Sequence, residues 1–548
     1  MDLRLFAVAY IVQSVFSASC YHNMVYEKPQ GYIYTIVCKN LNQSTNNELK
    51  NISTRVKVKL TINQSQLRNL TRHTFKSIPN IKELIIKNSL MCNTNGFPER
   101  LESLSLANNS LSDLQKNIFE NLKQLRALNL SHNNFNNFLC ANVQELDLSY
   151  NKLTKINVSC KVLQINRLYL SHNLLESIPH HFLPLLSYLD LSFNKITHTN
   201  SFKYLPYLTK LYLNNNDIIT IDGAFSNLDN LIELNLAGNN IVNIEPSHFS
   251  HIALKTLNLN NNCIHNVVLG QLSIFELHLE HNCLINLSNF TAVKQIHLSH
   301  NSINLHTVSL LGQVTHLYLK NCNIHTVNTE LQPLKSLELL DLSHNQLKQL
   351  NEVMFDGLKQ LSVLDLSYND LSKLHENTLK PLQSLQHLNL NYNSLLFIDY
   401  KNVRTYLKNI RVVYMQYNRF TCDFLKKALK YFNDTGINFE KNENLLNSDI
   451  NIAGYSCRDD KLSNLWYLFS LVAVIFAIGV VVRYLYLKTK LSSDEVELME
   501  SRLNLRLNLL AGFLEPEQMN RLQKDPAYSK KLKTKEYAKC SPVYRAGS

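Results

Sequence analysis

The sequence predicts an α/β solenoid, a horseshoe of stacked coils with a parallel sheet on its concave side, capped at both ends and followed by one transmembrane helix. Three observations predict it. One pattern recurs from residue 81 to residue 420. Cysteines bracket that stretch, Cys20 and Cys38 before it and Cys422 and Cys457 after it. Uncharged apolar runs open the chain and fill residues 462–482.

Taken in order, residues 1–19 read as a secretory signal peptide. Arg4 is its positive start, Leu5 to Phe16 its apolar run, and Ser17, Ala18 and Ser19 the small residues before cleavage at Cys20. Residues 20–80 form an N-terminal cap, with Cys20 expected to pair with Cys38 and a degenerate first repeat ending at Ile62 and Leu67.

Residues 81–420 repeat the template L-x-x-L-x-L-x-x-N-x-L. Its starts fall at Ile81, Leu101, Leu125, Val143, Ile165, Leu186, Leu208, Leu231, Leu254, Ile274, Val293, Val314, Leu337, Leu361, Leu385 and Ile410, giving about sixteen copies. Their spacing matches the roughly 20–29 residues of leucine-rich repeats. In L-x-L the leucines alternate, so each copy holds a short strand with leucines inward. The ninth-position Asn, as at Asn133, Asn173, Asn194 and Asn369, turns in at the strand end, where its amide can satisfy buried backbone groups. Cys322 takes that place in one copy. Phe119, Phe182, Phe225, Phe249 and Phe355 recur in the second halves of copies and read as convex-side packing.

Residues 421–461 form a C-terminal cysteine cap. Residues 462–482 then carry no charge, enough at about twenty residues to cross a bilayer. Asp459 and Asp460 precede them and Arg483, Lys488 and Lys490 follow, so the positive-inside bias predicts a single-pass type I protein of the plasma membrane with its repeats outside. Residues 483–548 are a cytoplasmic tail, too short for a kinase or a Toll/interleukin-receptor domain. Val496, Met499, Leu503, Leu507, Leu510 and Leu514 mark a short amphipathic helix in it.

With Cys540 in the tail, ten cysteines lie in the exported part, an even number that favours disulfides. Cys263 and Cys283 hold the tenth position of neighbouring copies and are expected to pair; Cys140 and Cys160 are near-equivalent and are paired likewise. Cys92 and Cys322 remain unassigned. Glycosylation sequons stand at Asn42, Asn51, Asn63, Asn69, Asn108, Asn129, Asn157, Asn286, Asn289 and Asn433. A glycan on Asn129, which lies on a strand, would mask the first coils of the concave face.

The chemistry is that of binding. His375-Glu376 begins like a metalloprotease motif but has no second His at helical spacing, and no Gly-rich phosphate loop or Gly-x-Ser-x-Gly elbow occurs. No enzyme activity and no cofactor is expected. The net charge of +12 is partly concentrated near the ends, as in Lys530-Lys531-Leu532-Lys533, and no aromatic-interleaved basic stripe points to nucleic acid. Ligand recognition falls instead to the outward positions of the sheet. One patch joins Arg167, Tyr169, Tyr188, Asp190, Lys210 and Tyr212, aromatic and Arg-rich as hot spots are; Tyr is also simply a good strand residue. A second joins Glu276, His278, Glu280, His281, Gln295, His297, His300, His316 and Tyr318. Its histidines suit pH sensing or a metal. Ser-His-Asn is also a habit of the template, and no metal site is assigned.

These features together resemble a type I leucine-rich-repeat receptor over residues 20–482. They are similar to the insect leucine-rich immune proteins, above all their transmembrane form, and to Toll-receptor ectodomains. The resemblance implies recognition of microbial or host-protein ligands and a homo- or heterodimer. It also implies a flanking cap closed by one disulfide, Cys422–Cys457; a second Cys common to such caps is replaced by Phe424. The soluble insect members carry a long coiled coil where this chain has the apolar run. An innate-immune receptor or co-receptor acting with a partner is the leading reading, and a cell-adhesion or guidance protein is the alternative.

Overall fold

The protein is seen in a computed structural model that describes residues 20–27, 31–41, 57–70, 72–75, 78, 80–94, 96–115, 118–139, 141–156, 164–180, 183–221, 223–225, 227–249, 253–269, 272–288, 290, 293–439, 451–452, 455–458 and 460–488. Two units divide at Arg458 and Asp459.

The first unit is the coil stack. Most strands are three residues long, because only L-x-L needs to be extended before the chain turns away. In Arg167–Tyr169, Tyr188–Asp190, Lys210–Tyr212 and Glu233–Asn235 the middle residue is a buried leucine and its neighbours face outward. These strands pair in parallel and in register, so Leu168, Leu189, Leu211 and Leu234 stack as one column. Each is fully buried, a gain of about 1.5–3 kcal/mol per side chain. Among the described residues nineteen strands form one sheet. All its pairings are parallel except Cys20–Glu27 against Gly31–Lys39, an antiparallel hairpin laid on the strand Val58–Asn63.

The Asn ladder ties coil to coil. Asn194 Nδ2 donates to Leu170 O of the preceding coil at 2.9 Å and to Leu191 O and Ser192 O of its own at 3.0 and 3.2 Å, while its Oδ1 accepts from Leu175 N–H at 3.0 Å. Asn173, Asn216, Asn239, Asn345 and Asn369 donate in the same pattern. Buried turn backbone is thus paired without a helix or a longer strand. At Cys322 the thiol donates to Leu298 O at 3.4 Å, and burial pushes it up to about 12. On the other side of the leucine columns, buried Phe202, Phe225 and Phe249 stack with ring centres 6.3 and 6.0 Å apart.

Both ends are closed. Cys20 lies opposite Cys38 in the hairpin and is bonded to it. At the far end the helix Cys422–Asp434 starts on Thr421, whose hydroxyl accepts from Phe424 N–H. Leu425, Ala428, Leu429 and Phe432 are its buried residues, spaced as one helical face, and Cys422 is bonded to Cys457.

Two expectations are corrected. Cys263 and Cys283 are not joined. Stacked coils keep equivalent Cβ atoms near the strand spacing of about 4.8 Å with parallel Cα–Cβ bonds, whereas a disulfide needs Cβ atoms facing one another at about 3.5–4.5 Å. The second correction concerns the membrane. The second unit contains the helix Asp460–Lys488, with side chains described for 470–483 and 485–486. Among the described residues no helix is long and apolar enough to cross a membrane. The expectation of a single-pass type I protein of the plasma membrane, extracellular on one side of such a helix, is overturned by that finding. Cys140, Cys160, Asn42, Asn51, Asn157, Asn289, residues 1–19 and the tail beyond residue 488 lie outside the described residues.

Candidate functional site

The concave sheet presents the third and fifth template positions of every coil. On the strands Arg167–Tyr169, Tyr188–Asp190 and Lys210–Tyr212 it brings all six residues of the first patch together. Arg167 pairs with Tyr188 and Tyr188 with Lys210 in one row, and Tyr169 pairs with Asp190 and Asp190 with Tyr212 in the next. Tyr188 bridges the rows, its ring centre 4.9 Å from Tyr169 and 5.4 Å from Tyr212. Arg167 and Lys210 are exposed at the edge of this aromatic run.

A residue that sequence reasoning missed fixes part of the patch. Glu233, on the next strand opposite Lys210, accepts from Tyr212 Oη at 2.6 Å and meets Lys210 Nζ at 2.7 Å. Burial alone would raise its carboxyl, but the bonds from Lys210 and Tyr212 outweigh burial and hold it below the ordinary range. Burial first, then the charge of Asp190, pushes the Tyr188 phenol up to about 12. Tyr212 is raised further, by burial and then by the bond to Glu233. At neutral pH the phenols therefore keep their protons and Glu233 its charge. The signal for Glu233 was there to read, a carboxylate at the third position one coil past Lys210.

Asp190 has another duty. Its Oδ1 accepts from Ser192 N–H at 2.9 Å and Ser192 Oγ–H at 2.7 Å. Asp147 and Asn129 do the same for Ser149 and Ser131. The fifth-position Asp or Asn thus closes the turn after the strand. Beside Arg167, the outward side chains of Gln144, Gln164, Asn166, Leu185 and Tyr207 line an open depression.

The eighth position was also underestimated. Its residues adopt a left-handed backbone throughout, with φ of 53° at His132, 54° at Tyr150, His172 and Phe193, and 53–54° at Tyr368, Tyr392 and Tyr417. Such a conformation is uncommon for bulky side chains. Here it turns the rings into a stack: His132, Tyr150, His172 and Phe193 lie 4.0–4.1 Å apart, centre to centre. His344, Tyr368, Tyr392 and Tyr417 form a second stack at 4.0–4.2 Å. Where no ring is used Asn stands, as at Asn88, Asn108, Asn215, Asn261 and Asn321, or in one coil Gly238, at φ 66°, where a Cβ would meet Asn215 Oδ1 at 2.6 Å.

The histidine patch separates into two layers. His281 and His300 belong to the eighth-position stack, 3.9 Å apart. His278, His297 and Tyr318 stack on the sheet at 4.2 and 4.1 Å, in register with Glu276, Gln295 and His316. Glu276 Oε1 lies 3.1 Å from His278 Nε2 and 3.4 Å from His297 Nε2. Burial, and after it His278, lowers the His297 pKa. Two strands, Glu233–Asn235 and Ala253–Asn258, separate this patch from the first.

Of the sequons, Asn108, Asn286 and Asn433 are exposed, Asn63 and Asn129 are half-buried, and the side chain of Asn69 lies outside the described residues.

Comparison with known proteins agrees with the repeat. The leucine rich repeat family matches residues 164–218, 184–241, 206–264, 312–371 and 335–395. Osteomodulin of Bos taurus is 38% identical over 88 residues, 15% of this chain and 20% of that protein. Lumican of Oryctolagus cuniculus is 36% identical over 90 residues, 15% of this chain and 47% of that protein. The matched stretches thus span less than half of either relative. A solved LRR protein of Leptospira interrogans is 25% identical, covering 73% of this chain and 92% of its own, with a TM-score of 0.50.

Proposed function

We propose that this leucine-rich-repeat protein is a binding protein that grips a protein or microbial ligand with its concave sheet and acts in innate-immune recognition together with a partner. One observation carries the reading, the run Tyr169–Tyr188–Tyr212 flanked by exposed Arg167 and Lys210 on three strands in register. Tyr and Arg give large contact area with few rotamers to freeze, which is why they dominate hot spots. Glu233 preorders Lys210 and Tyr212, so less freedom is lost on binding. A glycan on Asn129 would shade the early coils and direct ligand to this patch and beyond.

The test is binding of the purified full chain to immobilised microbial surface glycans and host proteins, run beside its self-association on beads. Saturable binding weakened at least about tenfold by Tyr188→Ala with Arg167→Ala supports the reading. Self-association that alone responds to those substitutions would move the protein to adhesion instead.

A further inference from the structure

We propose that Glu276, His278 and His297 form a binding site for a transition-metal ion of the zinc class on the concave sheet. Their ligand atoms, one carboxylate oxygen and two imidazole nitrogens, lie within 4.8 Å of one another. Three strand positions create this. Glu276 and His278 are the third and fifth positions of one coil, so both point outward from the same short strand, and His297 is the direct register partner of His278 on the next.

A second observation stands behind the geometry. His297 Nε2 is sealed from solvent and has no hydrogen-bond partner among the described residues. Glu276 Oε1 is 3.4 Å away, longer than an ordinary N–H···O bond, so it satisfies the nitrogen poorly. Buried polar nitrogens are seldom left so, and an orphan of this kind calls for a specific explanation. A cation held between Glu276 and the two rings would supply the missing partner. His278 and His297 are stacked at 18°, so their in-plane lone pairs run nearly parallel. Bonds of about 2.0–2.1 Å to one ion require the rings to tilt apart. His297 is held between His278 and Tyr318, so the tilt falls to His278, whose register partner on its other side is the smaller Asn258.

The donor set selects the ion. Two imidazoles and one carboxylate suit zinc and its neighbours, while calcium and magnesium prefer all-oxygen shells. Glu280, two residues past His278 on the same coil, adds negative charge, and its Oε2 accepts from Asn260 Nδ2 at 2.8 Å. Three protein ligands leave at least one coordination position open toward the concave space. A carboxylate or imidazole of a bound partner could complete it.

The experiment is calorimetric titration of the full chain, free of any histidine tag, with zinc chloride and separately with calcium chloride. One zinc per chain, and no calcium, is expected. His278→Asn with His297→Asn should weaken zinc by more than the roughly 10–100-fold that removal of a supporting hydrogen bond costs. Asn already occupies the same coil position at Asn235 and Asn258, so this variant keeps the fold, checked by circular dichroism. His281→Asn with His300→Asn, which removes the neighbouring histidine stack, should leave zinc affinity unchanged. In the wild type, cobalt should give the visible absorption bands of a low-coordinate nitrogen and oxygen site. Absence of zinc binding in the wild type, or equal loss from both double variants, overturns the proposal.

Discussion

Replacing Asn194 tests the physical role of the ladder. Its Nδ2 reaches three carbonyls and its Oδ1 takes one N–H. The carbonyls share other donors: Leu170 O also receives Asn173 Nδ2, and Leu191 O also receives Asn216 Nδ2. In Asn194→Ala the group that loses its partner outright is therefore Leu175 N–H. An unsatisfied buried donor costs about 1–3 kcal/mol, and the small void adds to it, so a total near 2–4 kcal/mol is expected. Asn194→Asp should be worse than Ala. It keeps the acceptor but turns a carboxylate oxygen toward three carbonyl oxygens. Asn194→Cys should be the mildest, because the chain itself carries Cys322 in this place with its thiol donating to Leu298 O and Lys320 O. Coils contact only their neighbours, so a single global transition is a poor readout. Hydrogen exchange followed by mass spectrometry on the peptide around Leu175 reads the site itself. A local loss of about 2–4 kcal/mol is about 30- to 900-fold faster exchange. Protection that is unchanged in Ala, or better in Asp than in Ala, would refute the ladder as the tie between coils.

Other outcomes follow from the same geometry. Without reductant, Cys263 is exposed and should alkylate in the native chain, while Cys322, buried with its thiol pushed up to about 12, should react only after unfolding; peptide mapping after iodoacetamide reads both. Burial raises the Asp341 pKa despite its bonds from Ser343. Its folded value lies above its unfolded one, so the stability it contributes is full below about pH 3.8 and is lost as pH rises through the folded value. Asp341→Asn keeps the acceptor for Ser343 N–H, as Asn129 does for Ser131. It should raise the melting temperature at neutral pH, with the gain vanishing below about pH 3.8, so that the acid limb of the stability profile steepens; an unchanged neutral melting temperature would count against the burial cost.

The fold was readable because its determinants are local and repeated. L-x-L with Asn at a fixed offset states the strand, the inward face and the turn at once, and the register of Leu168, Leu189 and Leu211 follows from stacking like on like. The first patch was readable for the same reason, since third and fifth positions must share a face. What was not legible depended on side-chain direction rather than spacing. Cys263 and Cys283 occupy equivalent positions yet are not joined, since equivalence on stacked coils does not by itself make two Cβ atoms face one another. The place of Glu233 opposite Lys210 was legible from its third position, but the bonds its carboxylate makes to Lys210 and Tyr212 were not. The rings at Tyr150, Tyr368 and Tyr392 stack because the eighth position is left-handed, a state that Asn215, Asn261, Asn321 and Gly238 at the same position signal and the aromatic residues do not. Composition alone also overstated residues 462–482, where hydrophobicity suggested a membrane span.

The central claim is that ligand meets the sheet at Tyr188. A photo-reactive phenylalanine placed at Tyr188, and at Ile219 as an exposed control off the strands, measures it directly on the full chain with a ligand found by the binding screen. Crosslinking at Tyr188 and not at Ile219, abolished by Arg167→Ala with Tyr169→Ala, is the result expected. Crosslinking at Ile219 with none at Tyr188 would place recognition outside the concave face and contradict the account.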